Sequence, residues 1–155
     1  MAKFGMFLYC WLIWIINVVL AILSYFIAGI SIGAILMFPA VFVAFAMMLK
    51  YRSGQNIELT EVFKYSPSWA KAIAGLSSLY TIVNFIICMV LLVDGSAHIE
   101  NGVYCLWNHG FVREITKQEY YALLKVEGRQ LMGHTLAFTG IALAFFAAHR
   151  KMDTI

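Results

Sequence analysis

Between Phe4 and Leu49 the chain has no Asp, Glu, Lys, Arg or His. A helix rising about 1.5 Å per residue needs about 20 residues to cross a hydrocarbon core of about 30 Å. A charge-free run of 46 residues is too long for one span and suits two joined by a tight turn. Charge is scarce everywhere: 12% of the 155 residues are charged and 63% are hydrophobic, with a mean hydropathy of +0.83. A soluble domain carries about 25% charged residues, so most of this mass is expected in or against lipid.

Other absences narrow the function. The three cysteines, Cys10, Cys88 and Cys105, form no C-x-x-C pair. An odd count leaves one thiol over in any disulfide scheme, and Cys10 and Cys88 sit in apolar segments where cysteine behaves as a small hydrophobe. There is no glycine-rich phosphate loop, no H-E-x-x-H and no G-x-S-x-G, and Ser77-Ser78 has no base nearby in sequence. No Asp, Glu, Lys or Arg is expected deep in a span, which disfavours a proton-coupled carrier or an intramembrane hydrolase. No enzyme and no cofactor are expected. The net charge of +3 comes without a basic patch beyond two adjacent residues, so nucleic acid is not an expected partner. Only Lys3 precedes the first apolar run and no small-x-small site closes it, so it reads as a retained span, not a signal peptide.

What is present predicts an all-α membrane protein: a four-span helical bundle carrying a small extracytoplasmic β-hairpin and an amphipathic helix, in a single polytopic domain over 1–155. The spans are expected at about 7–28, 30–49, 69–93 and 131–148. Pro39 lies in the second and is expected to kink it near Leu36. The polar connection after Lys50 contains Thr60 to Tyr65, which reads as a short helix lying in the headgroup plane or as a plain loop.

The segment 94–130 has internal shape. Gly102 to Trp107 and Phe111 to Ile115 are β-prone, and Asn108-His109-Gly110 is a turn signal with Gly110 at the left-handed position. Thr116-Lys117-Gln118-Glu119 matches a capping box. The helix it opens is expected to carry Tyr120, Leu123, Leu124 and Glu127 and to run into the last span.

An even number of spans puts both termini on one side. That side holds Lys3, Lys50, Arg52, Lys64, Lys71, Arg150 and Lys151, against Arg113, Lys117, Lys125 and Arg129 on the other. The positive-inside rule then places both termini in the cytoplasm of a cell with a plasma (inner) membrane, and 94–130 outside.

Small residues mark packing seams. Gly133, Ala137, Gly140, Ala144 and Ala147 recur at alternating spacings of four and three, and Gly29 and Gly33 repeat the theme in the second span. Asn17 and Asn84 are mid-span polar groups, read as glue between helices or, alternatively, as the lining of a path. Tyr25, Tyr80, Thr81, Thr135 and Thr139 read as helix-to-helix donors.

His98, His109, His134 and Cys105 fall on one side of the membrane and are weak metal candidates, because their spacing matches no standard motif. Tyr104, Trp107, His109, Phe111 and Tyr120 are candidate interaction residues, with an aromatic belt at the membrane interface as the plainer role for the aromatics. The expectation is a non-catalytic membrane protein acting by contact. Its partners would be membrane lipids and another membrane protein or itself, in the role of an accessory subunit or an immunity-like blocker of a toxin or factor. The alternatives are an oligomeric pore or small transporter, and a metal-handling protein.

Overall fold

A computed structural model of the chain describes residues 2–55, 60, 64–108 and 110–152. Its long helices are α1 (Ala2–Leu23), α2 (Ile30–Gln55), α3 (Ser68–Leu91) and α4 (Lys117–Met152). Between α3 and α4 lies a sheet of β1 (Ser96–Glu100), β2 (Val103–Asn108) and β3 (Phe111–Glu114). The short helix expected at Thr60 to Tyr65 falls mostly outside the described residues.

Four helices are long and apolar enough to cross a membrane: Phe4–Leu23, Ile35–Arg52, Ser68–Leu91 and Lys117–His149. They are not equivalent. Of the apolar window, 72% is buried in α4, against 28%, 17% and 22% in α1, α2 and α3. Every residue from Ala142 to His149 is buried. The last helix is therefore the axis, and the other three surround it. Its small residues are not one seam with one neighbour. Gly133 and Gly140 face α3, whereas Ala144 and Ala147 join a cluster with Phe7, Cys10, Ala44 and Met48 of α1 and α2. The large residues Leu143, Phe145 and Phe146 between them are buried as well.

The α3–α4 contact is held by a ladder of side chains reaching backbone carbonyls. The Thr81 hydroxyl donates to Gly133 O, Asn84 Nδ2 donates to Arg129 O at 2.8 Å, and Cys88 Sγ to Val126 O at 3.5 Å. Donors at 81, 84 and 88 meet acceptors at 133, 129 and 126 because two antiparallel helices run their contact stripes in opposite directions. Each such bond between apolar helices is worth about 0.6 kcal/mol, up to about 1.7. The glycines make it reachable. A Cβ on Gly133 would lie 3.3 Å from Asn84 Nδ2, and one on Gly140 3.0 Å from Ser77 Oγ. Elsewhere Trp14 Nε1 donates to Ser77 Oγ at 3.2 Å, Tyr9 OH to Ala40 O at 3.0 Å and Ser66 Oγ to Ala144 O at 2.9 Å.

Several boundaries move from the sequence expectation. α1 stops at Leu23 and the chain turns over 24–29, because Ser24 folds its hydroxyl back onto Ala21 O at 2.6 Å and Gly29 takes φ +85. Gly29 has no atom within 4 Å of an added Cβ, so it is a turn residue and not part of a seam. Gly33 does pack, with Leu20 of α1 3.5 Å away. Pro39 lies inside α2 and the helix remains continuous through it. α4 is a single helix of 36 residues, about 54 Å long against a hydrocarbon core of about 30 Å.

Gly140→Leu is expected to destabilise the protein by about 1–3 kcal/mol through overpacking against Ser77. Gly75→Leu, at an exposed position with nothing within 4 Å of its Cβ site, serves as the control and should be tolerated. Thermal unfolding in detergent micelles checks this. Equal melting of both variants would refute the close α3–α4 approach.

Candidate functional site

The part of the chain that stands clear of the bundle is the sheet, and three local features build it. Gly95 takes φ +124, and a Cβ there would lie 2.2 Å from Trp107 O, so only glycine lets the strand entering from α3 pass under β2. Asn101 and Gly102, at φ 51 and 82, turn β1 into β2. Gly110 at φ +94 turns β2 into β3, with Asn108 paired to Phe111. The expected hairpin is present, but it is two strands of a three-stranded antiparallel sheet in the order β1-β2-β3.

The register assigns the faces, since cross-strand partners project to the same side. Trp107 shares one face with Ser96 and Val112, and Cys105 shares it with His98 and Glu114. The other face carries Leu106 with Ala97 and Arg113, and Tyr104 with Ile99. This second face leans on α4. Tyr104 packs on Tyr120 at 4.9 Å between ring centroids and on Tyr121 at 6.3 Å, and Leu106 is buried. Tyr104 and Tyr120, candidates for outside contact, therefore hold the sheet to its own helix. Trp107 and Phe111 are 50% and 81% exposed and remain available. His109 lies outside the described residues.

Two glutamates of α4 act near the sheet, one capping the helix start and one bonding β1. Glu119 closes the expected capping box. Its carboxylate accepts from Thr116 N at 2.8 Å and from the Thr116 hydroxyl at 2.9 Å, while its own N–H donates to Thr116 Oγ1 at 3.1 Å. The Thr116 backbone and side-chain bonds hold the Glu119 carboxyl below its ordinary range. Glu127 Oε1 accepts from Ala97 N at 3.1 Å, tying β1 to α4. Glu127 borders a cleft of about 520 Å³ formed with Gly95, Ser96, Trp107, Asn108 and Gln130. Burial raises the Glu127 carboxyl above its ordinary range, only partly offset by the Ala97 bond.

β3 is the free edge. All four of its residues are exposed, and no strand pairs with its outer side among the described residues. Its backbone groups there point away from the fold, beside Phe111 and Val112. Arg113 and Glu114 at the far end of the strand are the charges that blunt such an edge.

The metal candidates do not converge. His98 and Cys105 are register partners, but His134 lies on α4, where Nδ1 donates to Gln130 O at 2.8 Å and the ring meets Phe85 edge-on at 5.8 Å. Among the described residues no group of three or more His, Cys, Asp or Glu is placed to hold an ion. Asn17 and Asn84 do not bond to each other. Asn17 Nδ2 donates to Ile13 O at 3.0 Å within α1, and Asn84 belongs to the α3–α4 ladder. Thr135 and Thr139 bond carbonyls of their own helix and link nothing across. No family model, no curated protein and no solved structure matches the chain.

A carboxyl raised by burial favours docking in its protonated form. Docking of β1 on α4 is expected to be fullest below the ordinary glutamate value and to weaken as pH rises through the raised value of Glu127. Glu127→Gln keeps the acceptor and removes the charge, so it should flatten this dependence. Protease protection of 96–114 across a pH series measures both. A native pH profile surviving in Glu127→Gln would show that another group governs docking.

Proposed function

We propose that the chain is a multi-pass membrane protein that acts by contact with another protein, as an accessory subunit or as an immunity-like blocker, through the free edge of β3. The observation that carries this reading is the combination at β3: unpaired backbone, an 81% exposed Phe111 and an exposed Val112, on a sheet locked to a continuous helix. A strand of a partner added there gains main-chain hydrogen bonds, and alternate side chains supply the selectivity. The buried polar groups support contact over chemistry. Asn84, Thr81 and Ser66 bond backbone carbonyls of α4, and their donors hold helices together.

The pore alternative finds no support along the axis of one chain, because α4 fills it from Ala142 to His149. A path would have to form between copies. The metal-handling alternative has only the His98–Cys105 pairing in its favour.

Photo-crosslinking from position 111 in intact membranes tests the contact reading. A discrete protein adduct is expected. Phe111→Glu should abolish co-purification of that partner and shift stability by no more than about 0.5 kcal/mol, as for an exposed site. Adducts to lipid alone, or co-purification untouched by Phe111→Glu, would refute it.

The orientation has its own test. Cys10, Cys88 and Cys105 are all buried, so a thiol introduced as Phe111→Cys reports its own side. With the termini in the cytoplasm, an impermeant maleimide should label it from outside in intact cells. Labelling only after lysis would invert the topology.

A further inference from the structure

An apolar groove of about 680 Å³ opens on the flank of the bundle, at the end that carries the sheet. Its walls are Val18, Ala21 and Ile22 of α1 and Leu136 of α4, and Tyr25 and Tyr80 stand at its mouth. The volume lies within the range of about 300–1,000 Å³ typical of small-ligand sites. Along α1 the groove runs inward from Ile22 to Val18, four residues or about 6 Å of helix, with Tyr25 in the turn just beyond the helix end. On α4 seven residues, about 10 Å of helix, separate Arg129 from Leu136.

A cation stands beside the mouth, over one of the rings that line it. The Arg129 guanidinium carbon lies 4.9 Å from the centre of the Tyr25 ring. Arg129 Nε is buried without a hydrogen-bond partner, and among the described residues no carboxylate pairs with this arginine. Tyr80 Oη is also buried, beside Tyr25, with no hydrogen bond of good geometry. A partly buried guanidinium is costly unless an anion completes it. Arginine's fork matches phosphate oxygens in shape and charge.

We infer that this groove binds one anionic phospholipid of the leaflet at the sheet end, with an acyl chain along Val18, Ala21, Ile22 and Leu136 and the phosphate on the Arg129 guanidinium. Charge complementarity at the mouth selects the headgroup, and the apolar channel leading from it toward the bilayer centre selects a lipid over a free phosphate. The tyrosine face under the guanidinium keeps the cation oriented toward the headgroup plane. The inference rests on the chain being embedded in a membrane.

The test is native mass spectrometry of the full chain, extracted from the membrane fraction and titrated in detergent with phosphatidylglycerol or phosphatidylcholine. Absence from the membrane fraction would fail the embedding itself, separately from the lipid site. One phosphatidylglycerol per chain is expected to be retained in preference to phosphatidylcholine. Arg129→Gln should weaken that retention about tenfold, as for loss of one charge-assisted contact. Ile22→Trp, at a 56% exposed position lining the groove, should block the acyl channel with Arg129 intact and decides the matter if Arg129→Gln fails to fold. Equal retention of the two lipids, retention unchanged in the folded variants, or equally tight binding of soluble glycerol phosphate would each overturn the proposal.

Discussion

The whole structure depends on one helix being approachable from three sides. α4 meets α3 through Gly133 and Gly140, meets α1 and α2 through Ala144, Ala147 and the rings around them, and receives Ser66 on its Ala144 carbonyl. In lipid there is little hydrophobic drive to bring helices together, so association rests on dispersion at close range and on hydrogen bonds between helices. Both need small side chains on at least one partner. α4 supplies them on the α3 side, where the carbonyls of Val126, Arg129 and Gly133 accept from Cys88, Asn84 and Thr81. On its remaining sides larger groups fill the space. Phe145 and Phe146 pack edge-on at 5.4 Å, and Tyr51 and His149 close the same cluster.

The centrality of α4 explains why the sheet is well placed. A helix that continues unbroken from the capping box at Thr116 into the core carries the sheet's footing on the same rigid rod as the bundle. Tyr104 packs at a tilt against Tyr120 and Tyr121, and Glu127 holds Ala97. Two or three strands alone are marginal in water. Here they lean on a helix whose lower half is clamped by three others. The sheet therefore presents β3 at a fixed distance from the bundle, which a contact surface requires.

Much of this was readable from residue order. The charge-free run and the two later apolar stretches place four long helices, Thr116 and Glu119 announce the start of α4, and Asn108 to Gly110 announce the turn into β3. What could not be read has physical causes. β1 escapes notice because Ser96-Ala97-His98-Ile99-Glu100 is short and half polar, and its pairing with β2 is set by Gly95 and the Asn101-Gly102 turn. The central position of α4 escapes because Leu, Phe and Ala satisfy lipid and protein equally, so an apolar face does not announce which it will meet. The small-residue stripe marked a seam without naming its neighbour; Gly133 and Gly140 meet α3, and Ala144 and Ala147 meet α1 and α2. The α3–α4 ladder was half visible: Thr81 and Asn84 stood out as polar, but their partners are backbone carbonyls, which every residue has.

One turn of α4 joins the two surfaces of interest. Glu127 and Arg129 are two residues apart, a rotation of about 200° on the helix, so they project to opposite sides. One fastens β1 through Ala97; the other covers Tyr25 at the mouth of the apolar groove. Between them the α3 ladder grips Val126 and Arg129 by their carbonyls, so the backbone of this turn has little freedom to rotate. The two side chains therefore leave the helix from a fixed piece of backbone, with no hinge between them. A neutral Glu127 favours the docked sheet, and an anion on Arg129 removes the cost of a half-buried guanidinium. The footing of the sheet and the cation beside the groove thus share one turn of α4.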